Sequence, residues 1–323
     1  MNTLPENFFV RPPTMADLEA VVELMNAATL ADIGLVNFSL ESVGRYWQGG
    51  DLNLETDARL IFAPNGQLAG FAQFMEEPPP TPYDVDTWVR PDFVTQGVGE
   101  ALLDWIDERA QQALTRAPAG VPIKIAHIFV YAQNRSARER LEAFGYQNAR
   151  TFQRMRIDMT APPPKPILPD GILIRTLRRG QEERALYEAF EEAQADEWGH
   201  ECMPYDQWLY YFIECESNFD PTLWFLACEG EEIVGYALCR WDRPGEPDGS
   251  TVRYLAVRRA WRRRGIALAL LHHTFGEIYR RGKRKVGLGV DATSYTGAER
   301  LYARAGMVVF QTTLHYEKVI RNT

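Results

Sequence analysis

Two stretches of the chain pass through the same succession of hydrophobic and polar positions. FFVRPPTMADLEAVVELMNAA near the N-terminus and ILIRTLRRGQEERALYEAFEEA past mid-chain each open with a short apolar run and continue with apolar residues three or four apart. That spacing predicts a strand and then a helix with one buried face. LIFAPNGQLAGFAQF and WFLACEGEEIVGYALCR follow, each predicting two strands around a polar turn. In DTWVRPDFVTQGVGEALLDWI and RYLAVRRAWRRRGIALALLHHTF a strand then ends in valine and a glycine opens a helix. Val89 to Gly97 spans the same interval as Val257 to Gly265. A strand (KIAHIFVYA; KVGLGVDA), a short helix (SARERLEAFGY; GAERLYARAGM) and closing strands finish each copy, with Ala137 to Gly145 matching Ala298 to Gly306. Two unrelated segments rarely share both intervals, so the chain reads as a duplicated unit.

The mixture of strands and helices predicts an α/β fold of the α+β mixed-sheet kind, twice over. Thr160 to Gly171 holds five prolines in twelve residues. Proline lacks an amide proton and restricts its neighbour, so an extended linker is expected there. The expected division is a domain at 1–159, a proline-rich linker at 160–171 and a second domain at 172–323, which suits a chain of 323 residues.

Composition narrows the function. With 46% hydrophobic and 24% charged residues the chain has the make-up of an ordinary globular protein. No apolar run approaches the ~20 residues of a membrane helix, and MNTLPENFFVRPP lacks the basic-then-apolar order of a signal peptide. A cytoplasmic protein without membrane partners is expected. None of the four cysteines forms a C-x-x-C pair, which suits free thiols in a reducing compartment. The net charge of −9 is uneven: residues 1–160 hold 13 Lys and Arg against 21 Asp and Glu, residues 161–323 hold 22 against 23. Nucleic-acid binding needs many phosphates neutralised along a surface, so an acidic chain with one arginine cluster is unsuited to it. The adjacent His272 and His273 point to different helix faces, and no metal site is expected.

That cluster is the chemical clue. Five arginines fall between Arg258 and Arg264, and Gly265 follows at the predicted start of a helix. A helix start leaves backbone N–H groups without intrahelical partners and carries partial positive charge. Gly265 removes the β-carbon, Ala267 is small, and Arg262, Arg263 and Arg264 add charge that pairs with phosphate oxygens. Together they predict a cradle for a phosphate or pyrophosphate. No G-K-[ST] follows, so it is not a P-loop, and the three-glycine dinucleotide fingerprint is absent. A solvated basic turn is the plain alternative. Its position between strand and helix, with small residues only where a ligand approaches, favours the cradle.

The run Arg262-Arg263-Arg264-Gly265-Ile266-Ala267 resembles the Q/R-x-x-G-x-G/A signature of the GNAT N-acetyltransferase superfamily. The strand ending at Val257 and the helix in GAERLYARAGM resemble that family's other landmarks. The resemblance covers the chain twice, as in tandem bacterial acetyltransferases. It implies acetyl-CoA as co-substrate, its pyrophosphate on the signature's backbone amides and its pantetheine arm added as a strand along Leu255, Ala256 and Val257. It further implies Tyr302 as the acid that protonates the departing thiolate. The acceptor would be the amine of a small molecule, attacking directly in a ternary complex, in a monomer or homodimer.

Transferred residue by residue, the copies are unequal. The first keeps Gly97 and Gly99, but Val94 stands at the Q/R position and Leu141 at the tyrosine's. The family's asparagine near the closing helix matches Asn134; Ser294 stands nearby in the second copy. A catalytic C-terminal domain is expected beside a degenerate N-terminal one that retains CoA or only braces its partner. Where many relatives place a glutamate base, early on the key strand, this chain has Thr251. ADEWGHECMPYDQW offers Asp196, Glu197, His200, Glu201 and Asp206 instead, with Glu201 and His200 the first candidates and Asp242 and Glu246 rivals. The alternative is a catalytically silent CoA-binding or interaction module. Thr251 and Val94 favour it; Arg262, Gly265 and Tyr302 together count against it.

Overall fold

The repeated pattern folds as two units, Met1–Phe152 together with Gln311–Thr323, and Gln153–Phe310. The computed structural model describes residues 4–49, 52–76, 82–216, 218–243, 246–294 and 297–322. Among them no helix is long and apolar enough to cross a membrane.

The first unit builds, in chain order, β1 (Phe9–Arg11), α1 (Leu18–Ile33), α2 (Leu40–Gln48), α3 (Leu54–Asp57), β2 (Ala58–Phe62), β3 (Leu68–Met75), β4 (Tyr83–Val89), α4 (Val98–Leu114), β5 (Ile123–Tyr131) and α5 (Arg135–Ala143). Its strands run β1-β2-β3-β4-β5, antiparallel except for the parallel pair β4–β5. On one face α4 buries Leu102, Leu103 and Ile106 with Phe74, Val85 and Ile125. On the other, Val21 and Leu24 of α1 and Trp47 of α2 pack with Leu60 and Phe71. A strand covered on both faces reads as a continuous apolar run, and all of β3 but its last residue is buried.

Strand β6 (Gln147–Asp158) leads into the second unit, which adds β7 (Ile172–Thr176), α6 (Glu183–Gln194), α7 (Tyr205–Leu209), β8 (Trp224–Glu229), β9 (Glu232–Arg240), β10 (Gly249–Val257), α8 (Ile266–Arg280), β11 (Lys285–Asp291) and α9 (Ala298–Arg304). The strand order is β6-β11-β10-β9-β8-β7, with β10 and β11 parallel. Leu270, Leu271 and Phe275 of α8 pack with Phe225, Val252 and Val286. Leu186 and Phe190 of α6 and Trp208 of α7 pack with Trp224, Leu226 and Tyr236. Each unit therefore sandwiches its central strands between helices, as the duplicated pattern requires.

The last strand, β12 (Val308–Arg321), closes the first unit. It runs antiparallel to β5 from Thr313↔Tyr131 to Arg321↔Ile123, burying Leu314 and Tyr316 in that unit's core. Lys318 is 2.6 Å from Asp107 and Glu317 is 2.7 Å from Lys124. The proline-rich segment 160–171 forms no helix or strand, yet it lies inside the second unit. The units part at Phe152 and again at Phe310, because the pairing of β12 with β5 assigns the C-terminal strand to the first of them.

Candidate functional site

In the second unit β10 and β11 pair at Gly249↔Lys285, Ser250↔Val286 and Thr251↔Gly287. Beyond Thr251 they separate. β10 stays paired with β9, through an irregularity between Val252 and Tyr254, as far as Val257↔Gly235. One edge of Tyr254–Val257, which includes Leu255 and Ala256, is thereby left open among the described residues. An open edge of N–H and C=O groups is a place for an extended chain to add as a strand.

The chain leaves Val257 through a turn and enters α8 at Gly265, whose φ is 88° and which supplies no side-chain cap. A β-carbon on Gly265 would meet nothing within 4 Å, so the space beside the helix start is open. The amides of Ile266 and Ala267 stand at this uncapped end. Arg263 is also left-handed, at φ 66°, a conformation that costs a non-glycine residue roughly 1–2 kcal/mol and marks a turn fixed by its surroundings. Trp261 Nε1 and Arg264 do the fixing, donating to the two carboxylate oxygens of Glu229 at 2.9 and 3.0 Å.

The arginines divide differently from the expectation that Arg262 to Arg264 surround a ligand. Arg258 pairs with Glu192 and Glu232, each at 2.6 Å. Arg259 pairs with Asp196. Arg262 donates to the Val257 carbonyl at 3.0 Å, Asp196 at 2.6 Å and the Ala193 carbonyl at 3.3 Å, so it joins the end of β10 to the end of α6. Arg263 is exposed and has no carboxylate partner among the described residues.

Tyr302 lies in α9 at 7% exposure, and burial holds its phenol far above the usual pKa, with Glu197 adding to the shift. Glu197, although exposed at the surface, is raised by partial desolvation and by Asp291, against the opposite pull of Arg262 and His200. These couplings draw Glu197, Asp291, Arg262 and Tyr302 into one electrostatic group. The first candidates for the base fall outside it or at its margin. His200 Nε2 lies 3.0 Å from Glu191, and Glu201, like Glu197, is exposed in the loop. Thr251 Oγ1 donates to the Asp242 carbonyl at 3.5 Å, and Glu246 is engaged by Arg156 at 2.8 Å. Asp196 holds the arginines and Glu197 follows it, so the loop carrying Glu197 is anchored to the glycine turn. Trp208 is fully buried core and Tyr210 and Tyr211 are exposed. A narrow cleft of about 10 Å³ beside β10 is lined by Phe212, Phe219, Trp224, Arg253 and Tyr254 among others.

The first unit repeats the frame without the chemistry. Its β4 and β5 pair only at Tyr83↔Ile125 and Asp84↔Ala126, and Gly97, at φ 75°, starts α4 uncapped. Leu141 is buried where the acid would stand, and Asn134 caps α5 by accepting from the Ala137 amide at 2.9 Å. Gly99 is covered by Arg140: a β-carbon there would lie 2.3 Å from the guanidinium carbon.

The Acetyltransferase (GNAT) family model matches residues 23–146 and again 184–307. The chain belongs to that family and is an N-acetyltransferase by its architecture and relatives. A mycothiol acetyltransferase of Geodermatophilus obscurus is 29% identical over 301 residues, covering 90% of this chain and 91% of that protein. One from Thermobispora bispora is 29% identical over 314 residues, covering 94% and 97%. The crystal structure of a GCN5-related N-acetyltransferase from Sphaerobacter thermophilus is 39% identical and superposes with a TM-score of 0.82, covering 99% of this chain and 98% of its own. A tandem GNAT protein from the clavulanic acid biosynthesis pathway, 13% identical with a TM-score of 0.70, shares the fold.

Proposed function

We propose that the second unit transfers an acetyl group from acetyl-CoA to the amine of a small molecule, by direct attack in a ternary complex. The observation that carries this reading is the conjunction, in that unit alone, of an open β10 edge, an uncapped glycine start of α8 and a buried tyrosine on α9. The open space at Gly265 suits a pyrophosphate on the amides of Ile266 and Ala267, with Arg263 free to approach it. Leu255, Ala256 and Val257 would pair the pantetheine arm. The bound thioester supplies an activated acyl group, so no nucleophilic side chain is required.

The chain's own groups then have three tasks. A backbone N–H on the open edge polarises the carbonyl, a contribution of about 3 kcal/mol per donor. Glu197 takes the proton of the incoming ammonium, directly or through a water, and His200 and Glu201 of the same loop are the next candidates for that task. Tyr302, kept protonated by burial, donates to the leaving sulfur. Because the relatives are named mycothiol acetyltransferases, an amine of that class of small molecule heads the panel to test.

The test is thiol release from acetyl-CoA across amines, with wild type beside Tyr302→Phe. Turnover reduced about 10²–10⁴-fold by the substitution is expected for a positioned acid. Unchanged turnover in Tyr302→Phe removes that assignment, and CoA binding without turnover on any amine makes the chain a silent module.

A further inference from the structure

Four of the five arginines between Arg258 and Arg264 are paired with carboxylates of their own unit: Arg258 with Glu192 and Glu232, Arg259 and Arg262 with Asp196, and Arg264 with Glu229. The turn before α8 is therefore braced by acids around it. Among the described residues Glu229, the last residue of β8, differs from the others in where it grips. Its Oε2 accepts from Trp261 Nε1 and its Oε1 from Arg264, so it holds the chain on both sides of Arg263. The Trp261 ring also lies under the Arg258 guanidinium, 5.0 Å from ring centre to carbon, which links this grip to Glu192 and Glu232.

The Glu229 side chain is 41% exposed, so its ion pair with Arg264 adds little to the stability of the fold. Its effect is local. Arg263 and Gly265 are both left-handed and stand on either side of Arg264. A left-handed arginine persists only where its surroundings over-determine it. The aim of the first α8 amides, those of Ile266 and Ala267, therefore depends on a residue that Glu229 holds. The first unit has no such brace among its described residues. At the matching intervals before Gly97 stand Phe93, which has no side-chain donor, and Thr95, whose backbone is not left-handed. Gln96, in the place of Arg264, turns back to the Asp92 carbonyl at 3.1 Å.

We propose that Glu229 is a positioning residue for acetyl-CoA, holding the turn so that the amides of Ile266 and Ala267 converge on the diphosphate. The proposal rests on the reading of this turn as the cofactor's cradle. Glu229 acts through Trp261 and Arg264, and its own charge works against it. A carboxylate beside the cradle opposes a diphosphate, so loss of charge alone would tighten binding. Loss of the brace would weaken it. The two effects differ in sign, which makes the role measurable.

Calorimetric titration of the full chain with CoA, and with pantetheine, which lacks the diphosphate, tests it. Glu229→Gln keeps the side-chain size but cannot accept from both donors. Its affinity for CoA is expected to fall about tenfold, the scale of the backbone strain that the cofactor must then restore, with affinity for pantetheine unchanged. Trp261→Phe, which removes one donor, should give a smaller loss that Glu229→Gln does not add to. Melting curves establish that each variant is folded. CoA affinity that is unchanged or tighter in Glu229→Gln overturns the proposal, as does an equal loss for CoA and pantetheine. Those results leave the cradle in place, whereas a wild type that binds no CoA removes the cradle and this role with it.

Discussion

Glu197 and Asp196 are neighbours with different tasks. Asp196 sits between Arg259 and Arg262 and is held below the usual carboxylate range by their hydrogen bonds. Glu197, exposed at the surface, is shifted the other way, by partial desolvation and then Asp291. A base must be ionised to act, so kcat/KM should fall as pH drops through the Glu197 pKa, which lies above an ordinary glutamate's. The expected pH profile of the wild type has an acid limb displaced to higher pH, and Glu197→Gln should lower the rate and abolish that limb. An identical limb in the variant would move the base elsewhere, with His200 and Asp291 next. The sequence contained both acids, but separating them required knowing that Arg262 reaches back across 66 positions to Asp196.

At the scale of elements, the strand, turn and helix from β10 to α8 were legible from a few residues. Val257 to Gly265 is a fixed length of turn, and the left-handed glycine at its end is a local requirement that any fold must meet. For that reason Gly265→Ala is expected to cost about 1 kcal/mol of stability through the backbone alone, since no atom stands in the way of a β-carbon. The same methyl group intrudes on the open helix start, so KM for acetyl-CoA should rise more than kcat falls. Steady-state kinetics together with a denaturant titration separates the two effects. A raised KM for the amine alone would place the cradle somewhere else. What the local pattern did not reveal is how α5 fills the equivalent space in the first unit. Arg140 and Gly99 are 41 positions apart, and neither residue type announces the other.

For the whole molecule, the duplication and the α/β layering followed from periodicity, because each unit repeats the same buried faces. The allocation of the closing strands did not follow. An alternating run of residues states which face is apolar but not which exposed edge will accept its backbone, and β12 has an apolar face that suits either sheet. The pairing of β12 with β5 makes a definite expectation. A chain ending at Phe310 loses the antiparallel partner of β5 and two buried apolar side chains, Leu314 and Tyr316, worth roughly 1.5–3 kcal/mol each for the apolar part. Hydrogen exchange should then show β5 amides unprotected while those of β8 and β9 remain slow. Equal protection in both units of the shortened chain would contradict the assignment of this strand.

The same pairing sets an order on biosynthesis. Strand β5 ends at Tyr131 and its partner begins at Val308, so the ribosome must add nearly all of the second unit before the first can be completed. At ~5–20 residues per second that interval is on the order of ten to forty seconds. Throughout it β5 offers an unsatisfied edge, which is where a nascent chain is most exposed to mispairing. The N-terminal half is thus translated first and finished last, and a cut at the proline-rich segment would leave that half without its closing strand.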